Sequence, residues 1–107
     1  MPLVLEKDIE AYLKKRVEEN DGVFLKFPAT HIEGFPDRIL LMPHEVMCFV
    51  ELKRPKGGRI SEIQKHWHEK LRNLGYQVFV IKDKSEADTL IFKLQCVSCA
   101  KAWMEEV

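Results

Sequence analysis

Cysteine, long apolar runs and net charge are all scarce in this sequence, and each shortage narrows what the chain can be. There are only three cysteines among 107 residues, Cys48, Cys96 and Cys99. An odd, small number argues against a disulfide scaffold. Cys96-x-x-Cys99 has no second pair to complete a zinc site. Its spacing of three places both thiols on one face of a helix-like stretch, so they are expected as small buried or half-buried side chains. Apolar runs are short, Val78-Phe79-Val80-Ile81 being typical, whereas a bilayer span needs about 20 residues. The opening Met1-Pro2-Leu3-Val4-Leu5-Glu6-Lys7-Asp8 turns acidic too early for a signal peptide. These features predict a cytoplasmic protein that makes no use of a membrane. Formal net charge is zero, which removes the simplest argument for a nucleic-acid partner. What remains is 46% hydrophobic and 32% charged, ordinary globular material for a single domain over 1–107. A core this small leaves room for stabilisation by a second copy.

Along the chain, apolar periodicity alternates between helix and strand. Leu5, Ile9, Tyr12, Leu13 and Val17 recur at three and four, predicting a helix over 3–20 that stops at Asn20-Asp21-Gly22. Val23 to Phe27 reads as a strand closed by Pro28, and 29–36 as a loop. Arg38 to Met42 and Val46 to Leu52 read as a hairpin turning at Pro43-His44-Glu45. A helix follows from Ser61 to Leu74, with Ile60, Ile63, Trp67, Leu71 and Leu74 as its apolar positions and Trp67 in the core. Gly75 ends it. Tyr76 to Ile81 is a further strand. From Asp83 a last helix carries Ala87, Leu90, Ile91, Leu94 and Val97 on one side, and it continues or restarts to hold Trp103, Met104 and Val107, as core or as a dimer contact. The order α-β-β-β-α-β-α predicts an α/β fold in which a mixed central sheet is flanked by helices, with a right-handed crossover between the last two strands.

The chemistry concentrates in Gly34-Phe35-Pro36-Asp37 and Glu51-Leu52-Lys53. Glu51 and Lys53, two apart on a strand, share a face, and Leu52 points the other way into the core. Hairpin pairing brings Asp37 beside Glu51. Two carboxylates bind a hard cation such as Mg²⁺ through oxygen, with the Leu52 backbone carbonyl as a further ligand. Such an ion polarises a phosphoryl oxygen and acidifies water, and a lysine beside it orients the attacking water and stabilises developing charge. The pattern fits phosphodiester hydrolysis.

Charge distribution supports this. Residues 53–72 hold seven bases and two acids, an excess directly following the carboxylates and suited to phosphates. Arg54, Lys56 and Arg59 lie in the loop; Lys65 and His68 lie on the helix near Gln64, within reach of DNA. His66 and His68 do not share a helix face, which argues against a histidine zinc site, and His31 and His44 carry no assignment. Ser61 and Gln64 also match a capping box.

Taken together, Gly34 to Asp37, Phe49-Val50-Glu51-Leu52-Lys53-Arg54-Pro55, Gly58-Arg59-Ile60-Ser61-Glu62-Ile63-Gln64-Lys65-His66-Trp67 and Leu71 to Gly75 resemble the virus-type replication-repair nuclease (VRR-NUC) branch of the PD-(D/E)xK nuclease superfamily, over about residues 5–94, with 95–107 a helical tail beyond the match. The resemblance implies the restriction-endonuclease-like core read above, a Mg²⁺ or Mn²⁺ requirement and DNA cleavage in replication and repair. Stand-alone, often phage-encoded members are similar to Holliday-junction resolvases and act as homodimers, which places this chain in a bacterial or phage-infected cell. No small-molecule cofactor is implied. Carried over, Asp37 and Glu51 hold metal, Lys53 is the catalytic lysine and Gln64 approaches the metal or its water. A glutamate of the first helix joins them: Glu6, which fits the pattern better, or Glu10.

The leading expectation is a structure-specific endonuclease for four-way or otherwise branched DNA, since two symmetric sites suit two symmetric nicks. A flap, nicking or restriction-like nuclease would use the same residues. A DNA-binding module on a nuclease fold would be expected to have lost Asp37, Glu51 or Lys53, and all three are present.

Overall fold

The β2–β3 hairpin organises the molecule. In the computed structural model, which describes residues 5–27 and 32–106, β2 (Arg38–Met42) and β3 (Val46–Leu52) pair antiparallel with Arg38 opposite Val50 and Met42 opposite Val46. Strand β1 (Val23–Lys26) adds to the free side of β2, antiparallel, and β4 (Val78–Ile81) adds parallel to β3. The sheet order is β1-β2-β3-β4. A parallel pair needs a crossover, which α2 (Glu62–Asn73) supplies; α1 (Glu6–Glu19) precedes the sheet and α3 (Lys84–Glu106) follows it. This is the predicted mixed α/β order. Expected features at residues 3–4, Pro28 to His31 and Val107 lie outside the described residues.

Strand β3 is covered on both faces. Cys48, Val50 and Leu52 join Leu40 and Met42 in a cluster with Ile9, Leu13 and Val17 of α1 and Ala87, Leu90, Ile91 and Leu94 of α3. On the opposite face Phe49 packs with Leu71 of α2 and Val78, and Phe35, Ile39 and Met47 border them. Two helices thus cover one face and one covers the other. The Tyr12 hydroxyl donates to Asp88 at 2.6 Å and ties α1 to α3.

Three expectations for the helices need correction. Cys96 and Cys99 are exposed, not buried. Val97 is exposed too, because α3 buries only its first turns against the sheet and then runs on as a single helix. Of the two readings left open for Trp103 and Met104, their exposure of 66% and 68% removes the core one. On α2, Trp67 is only half-buried, with its ring edge-on to Phe35 and under the Lys70 ammonium, while Ile63 and Leu74 are exposed.

Leu13 is fully enclosed in the larger cluster. Leu13→Ala is expected to cost about 2–5 kcal/mol of unfolding free energy, whereas Phe92→Ala, on the exposed side of α3, changes it by no more than about 0.5 kcal/mol. Paired urea melts check the contrast.

Candidate active site

The hairpin register assembles the site. One step beyond the Arg38–Val50 pair, Asp37 stands opposite Glu51. The Asp37 carbonyl accepts the Phe27 N–H at 2.9 Å, continuing the β1–β2 ladder and fixing the backbone there. Alternation puts Asp37 with Ile39 and Glu51 with Phe49, on the α2 face. Lys53 follows Glu51 by two, its N–H bonded to the Ile81 carbonyl at 3.0 Å. The sheet end therefore gathers Asp37, Glu51 and Lys53, while Leu52, 1% exposed, turns to the opposite core as expected.

Glu51 is buried, and its Oε1 has no hydrogen-bond partner. Burial pushes its carboxyl up to about 7; Lys53 and Arg38 oppose that shift, while Asp37 and Glu6 add to it. The same four neighbours show that the charges of α1, β2 and β3 meet at this point. Against Glu51 lies His68, whose Nε2 is 3.6 Å from the unpartnered oxygen and is itself unpartnered. Burial holds the imidazole below its ordinary pKa, and the positive charges of Arg72 and Lys53 lower it further. His68 is 3% exposed, so the expected surface contact with DNA is a reading the structure corrects. As i−3 from Leu71, His68 belongs to the buried face of α2, and that spacing was the available signal.

Arg38 is the residue at this site to which the sequence reading gives no role. It is 5% exposed, and its guanidinium reaches Asp37 Oδ1 at 2.9 Å, Glu10 Oε2 at 3.0 Å and Glu6 Oε1 at 3.8 Å. Both first-helix candidates therefore point at the same group. Glu10 is the nearer and less exposed of the two and also meets Lys26 at 3.7 Å, while Glu6 is the one whose charge reaches Glu51.

Gln64 sits in the capping box. Its Oε1 accepts the Ser61 N–H at 2.9 Å, and its own N–H donates to Ser61 Oγ at 3.2 Å. In this arrangement the amide oxygen serves the helix start rather than the carboxylates. Arg54, Lys56, Arg59 and Lys65 are exposed around that start, and Lys65 meets Glu62 at 3.2 Å. Two glycines let these loops close in. A Cβ at Gly58 would lie 2.5 Å from the Arg54 carbonyl and 3.0 Å from the Lys53 Cβ, so the basic loop folds tightly over the lysine's backbone. Gly34 has φ +82° and its backbone lies against Ile63, docking the loop before Asp37 onto α2.

The donors suit a hard cation. A buried carboxylate oxygen without a partner is costly when ionised, and a divalent ion would remove that cost. Among the described residues, no three His, Cys, Asp or Glu side chains are grouped closely enough to enclose a metal. Two carboxylates, with backbone oxygen and water making up the rest, match how Mg²⁺ is usually held.

The raised Glu51 pKa has a definite sign in stability. Between its ordinary value of 4.5 and its folded value of about 7, the folded state holds more protons than the unfolded state. Stability from this group is therefore lost as pH rises through that window. In EDTA, Glu51→Gln is expected to be more stable than the parent above pH 7, with the gain vanishing near pH 4. Thermal melts across pH check this; a gain that persists unchanged at pH 4 contradicts it.

Comparison with known proteins gives this geometry a family. The family model described as the VRR-NUC domain matches residues 7–84. The chain is 33% identical over 90 residues to "Putative nuclease p44" of Acyrthosiphon pisum secondary endosymbiont phage 1, covering 84% of this chain and 96% of that protein. A solved structure described as a VRR_NUC domain superposes with a TM-score of 0.74 at 31% identity, covering 80% of this chain and 92% of the other. No helix among the described residues is long and apolar enough to cross a membrane. With the family model spanning most of the chain and both relatives above 30% identity, this chain belongs to the VRR-NUC family and carries a nuclease domain.

Proposed function

We propose that the chain is a Mg²⁺- or Mn²⁺-dependent deoxyribonuclease that hydrolyses phosphodiester bonds in branched DNA, four-way junctions in particular, as a homodimer in the cytoplasm of a bacterial or phage-infected cell. The observation that carries the chemistry is the buried Glu51 carboxylate, its Oε1 without a hydrogen-bond partner, in register with Asp37, with Lys53 two residues on. In this reading Asp37, Glu51 and the Leu52 carbonyl hold the metal, and a glutamate of α1, Glu6 or Glu10, supports them. When bound, the ion supplies charge neutralisation at the phosphoryl group and a more acidic water.

The chain's own residues supply the rest. Arg54, Lys56, Arg59 and Lys65 hold phosphates on either side of the scissile bond; their contribution is electrostatic and weakens with salt. Lys53, beside Glu51, donates a hydrogen bond to the attacking water or to a non-bridging phosphoryl oxygen, stabilising charge as it develops. Gln64 approaches the reacting centre only by giving up its bond to the Ser61 N–H. His68 and the aromatic packing of Phe35, Phe49 and Trp67 keep water away from the inner side of Glu51. The junction preference and the homodimer rest on family likeness and on the fit of two symmetric sites to two symmetric nicks.

The test uses linear duplex, flap and four-way junction DNA with Mg²⁺, Mn²⁺ or EDTA. Junction cleavage with either metal and none in EDTA is expected. Asp37→Asn, Glu51→Gln and Lys53→Ala are each expected to lose about 100-fold or more in rate. Failure to cut any substrate with metal contradicts the nuclease reading, and equal rates on linear duplex and junction contradict the junction preference. Light scattering reads the oligomer.

A further inference from the structure

The cation-binding end of this sheet already contains a cation. Arg38 is buried and faces three carboxylates: Asp37, the residue just before β2, and Glu10 and Glu6 on α1. Its two terminal nitrogens divide the work, Nη1 donating to Asp37 and Nη2 to Glu10. A planar fork spans two carboxylates in a way a lysine cannot. Its Nε is buried without a partner, so the side chain is held by its ends. Arg38 also lowers the proton affinity of Glu51, placing its charge within reach of every acid at the site.

We infer that Arg38 is a positioning residue that acts as the site's resident counter-cation: it holds the carboxylates together when no metal is bound and competes with the divalent ion for Asp37. This rests on the proposed metal site and adds a regulator of its affinity. Without Arg38 the acids at this end of the sheet would face one another with, among the described residues, Lys26 beside Glu10 and Lys53 beside Glu51 as the remaining positive charges, which destabilises the metal-free fold. With it, an arriving divalent ion meets a positive charge already bonded to one of its ligands. Removing the charge should therefore do two opposite things: lower stability without metal and tighten metal binding. A purely structural arginine predicts the reverse on the second count, because carboxylates left to splay apart bind metal more weakly.

The experiment measures Mn²⁺ affinity by the electron paramagnetic resonance signal of free Mn²⁺, and melting temperature in EDTA, for the parent, Arg38→Gln, Arg38→Lys and Asp37→Asn. Arg38→Gln is expected to melt lower in EDTA and to bind Mn²⁺ about threefold to tenfold more tightly, since a nearby like charge is gone. Arg38→Lys keeps the charge and loses the fork; it should melt lower than the parent and bind Mn²⁺ within about twofold of it. A folded Arg38→Gln protein with unchanged or weaker Mn²⁺ affinity overturns the inference. So does Arg38→Lys melting with the parent, which decides the matter even where the glutamine variant fails to fold. Asp37→Asn separates the two layers: if it binds Mn²⁺ as the parent does, the proposed metal site has failed and this inference with it. If it loses binding while Arg38→Gln gains none, only the role of Arg38 has failed.

Discussion

Everything at the working end of this protein depends on one carboxylate held where water reaches it poorly. Glu51 occupies the last α2-facing position of a strand covered on both sides, and its Oε1 has no hydrogen-bond partner. Desolvating a charge is among the costlier things a fold can do. Here the cost is expressed as a carboxyl pushed up to about 7. The core makes that possible: Leu52 and Val50 anchor one face of β3, Phe49 and Leu71 the other, and the strand has no freedom to swing Glu51 outward. The rigidity that stabilises the sheet also prevents the carboxylate from escaping into solvent, and this is how packing becomes chemistry.

Around Glu51 the residues divide by element. The hairpin supplies Asp37 and Lys53, α2 supplies His68 from its buried face, and α1 supplies Glu6 and Glu10 through Arg38. Each helix therefore has a core role and a site role on neighbouring turns. In α1, Ile9, Leu13 and Val17 dock the helix, and Glu6 and Glu10 extend from its first turns towards the sheet end. Charged groups from α1, α2 and the hairpin thus come within a few ångströms of one another at this end of the sheet.

Much of this was legible in the sequence because it is local. Periodicities of two and three-to-four gave all seven elements in order, and the hairpin register that opposes Asp37 to Glu51 follows from a short turn between two apolar runs. What was not legible depends on distant segments. Arg38 opens an apolar strand and looks like a surface residue; its burial comes from glutamates 28 and 32 positions earlier in the chain. His68 looks like a solvent-facing partner of Gln64 until Leu71 is seen to share its face. Cys96, Cys99 and Val97 continue an apolar pattern past the point where α3 still has sheet to cover, so periodicity alone overstated their burial. Gln64 satisfied two patterns at once, and the capping box is the one its side chain adopts here.

The central claim is that Glu51 is a destabilised carboxylate at a site built for a divalent cation. Its carboxyl carbon can be followed directly by ¹³C NMR during a pH titration, in EDTA and again in saturating Mg²⁺. The account predicts a midpoint near 7 without metal and a midpoint displaced well towards acid with it, because a bound cation favours the ionised form. A carboxyl that titrates in the ordinary glutamate range and ignores Mg²⁺ would contradict it.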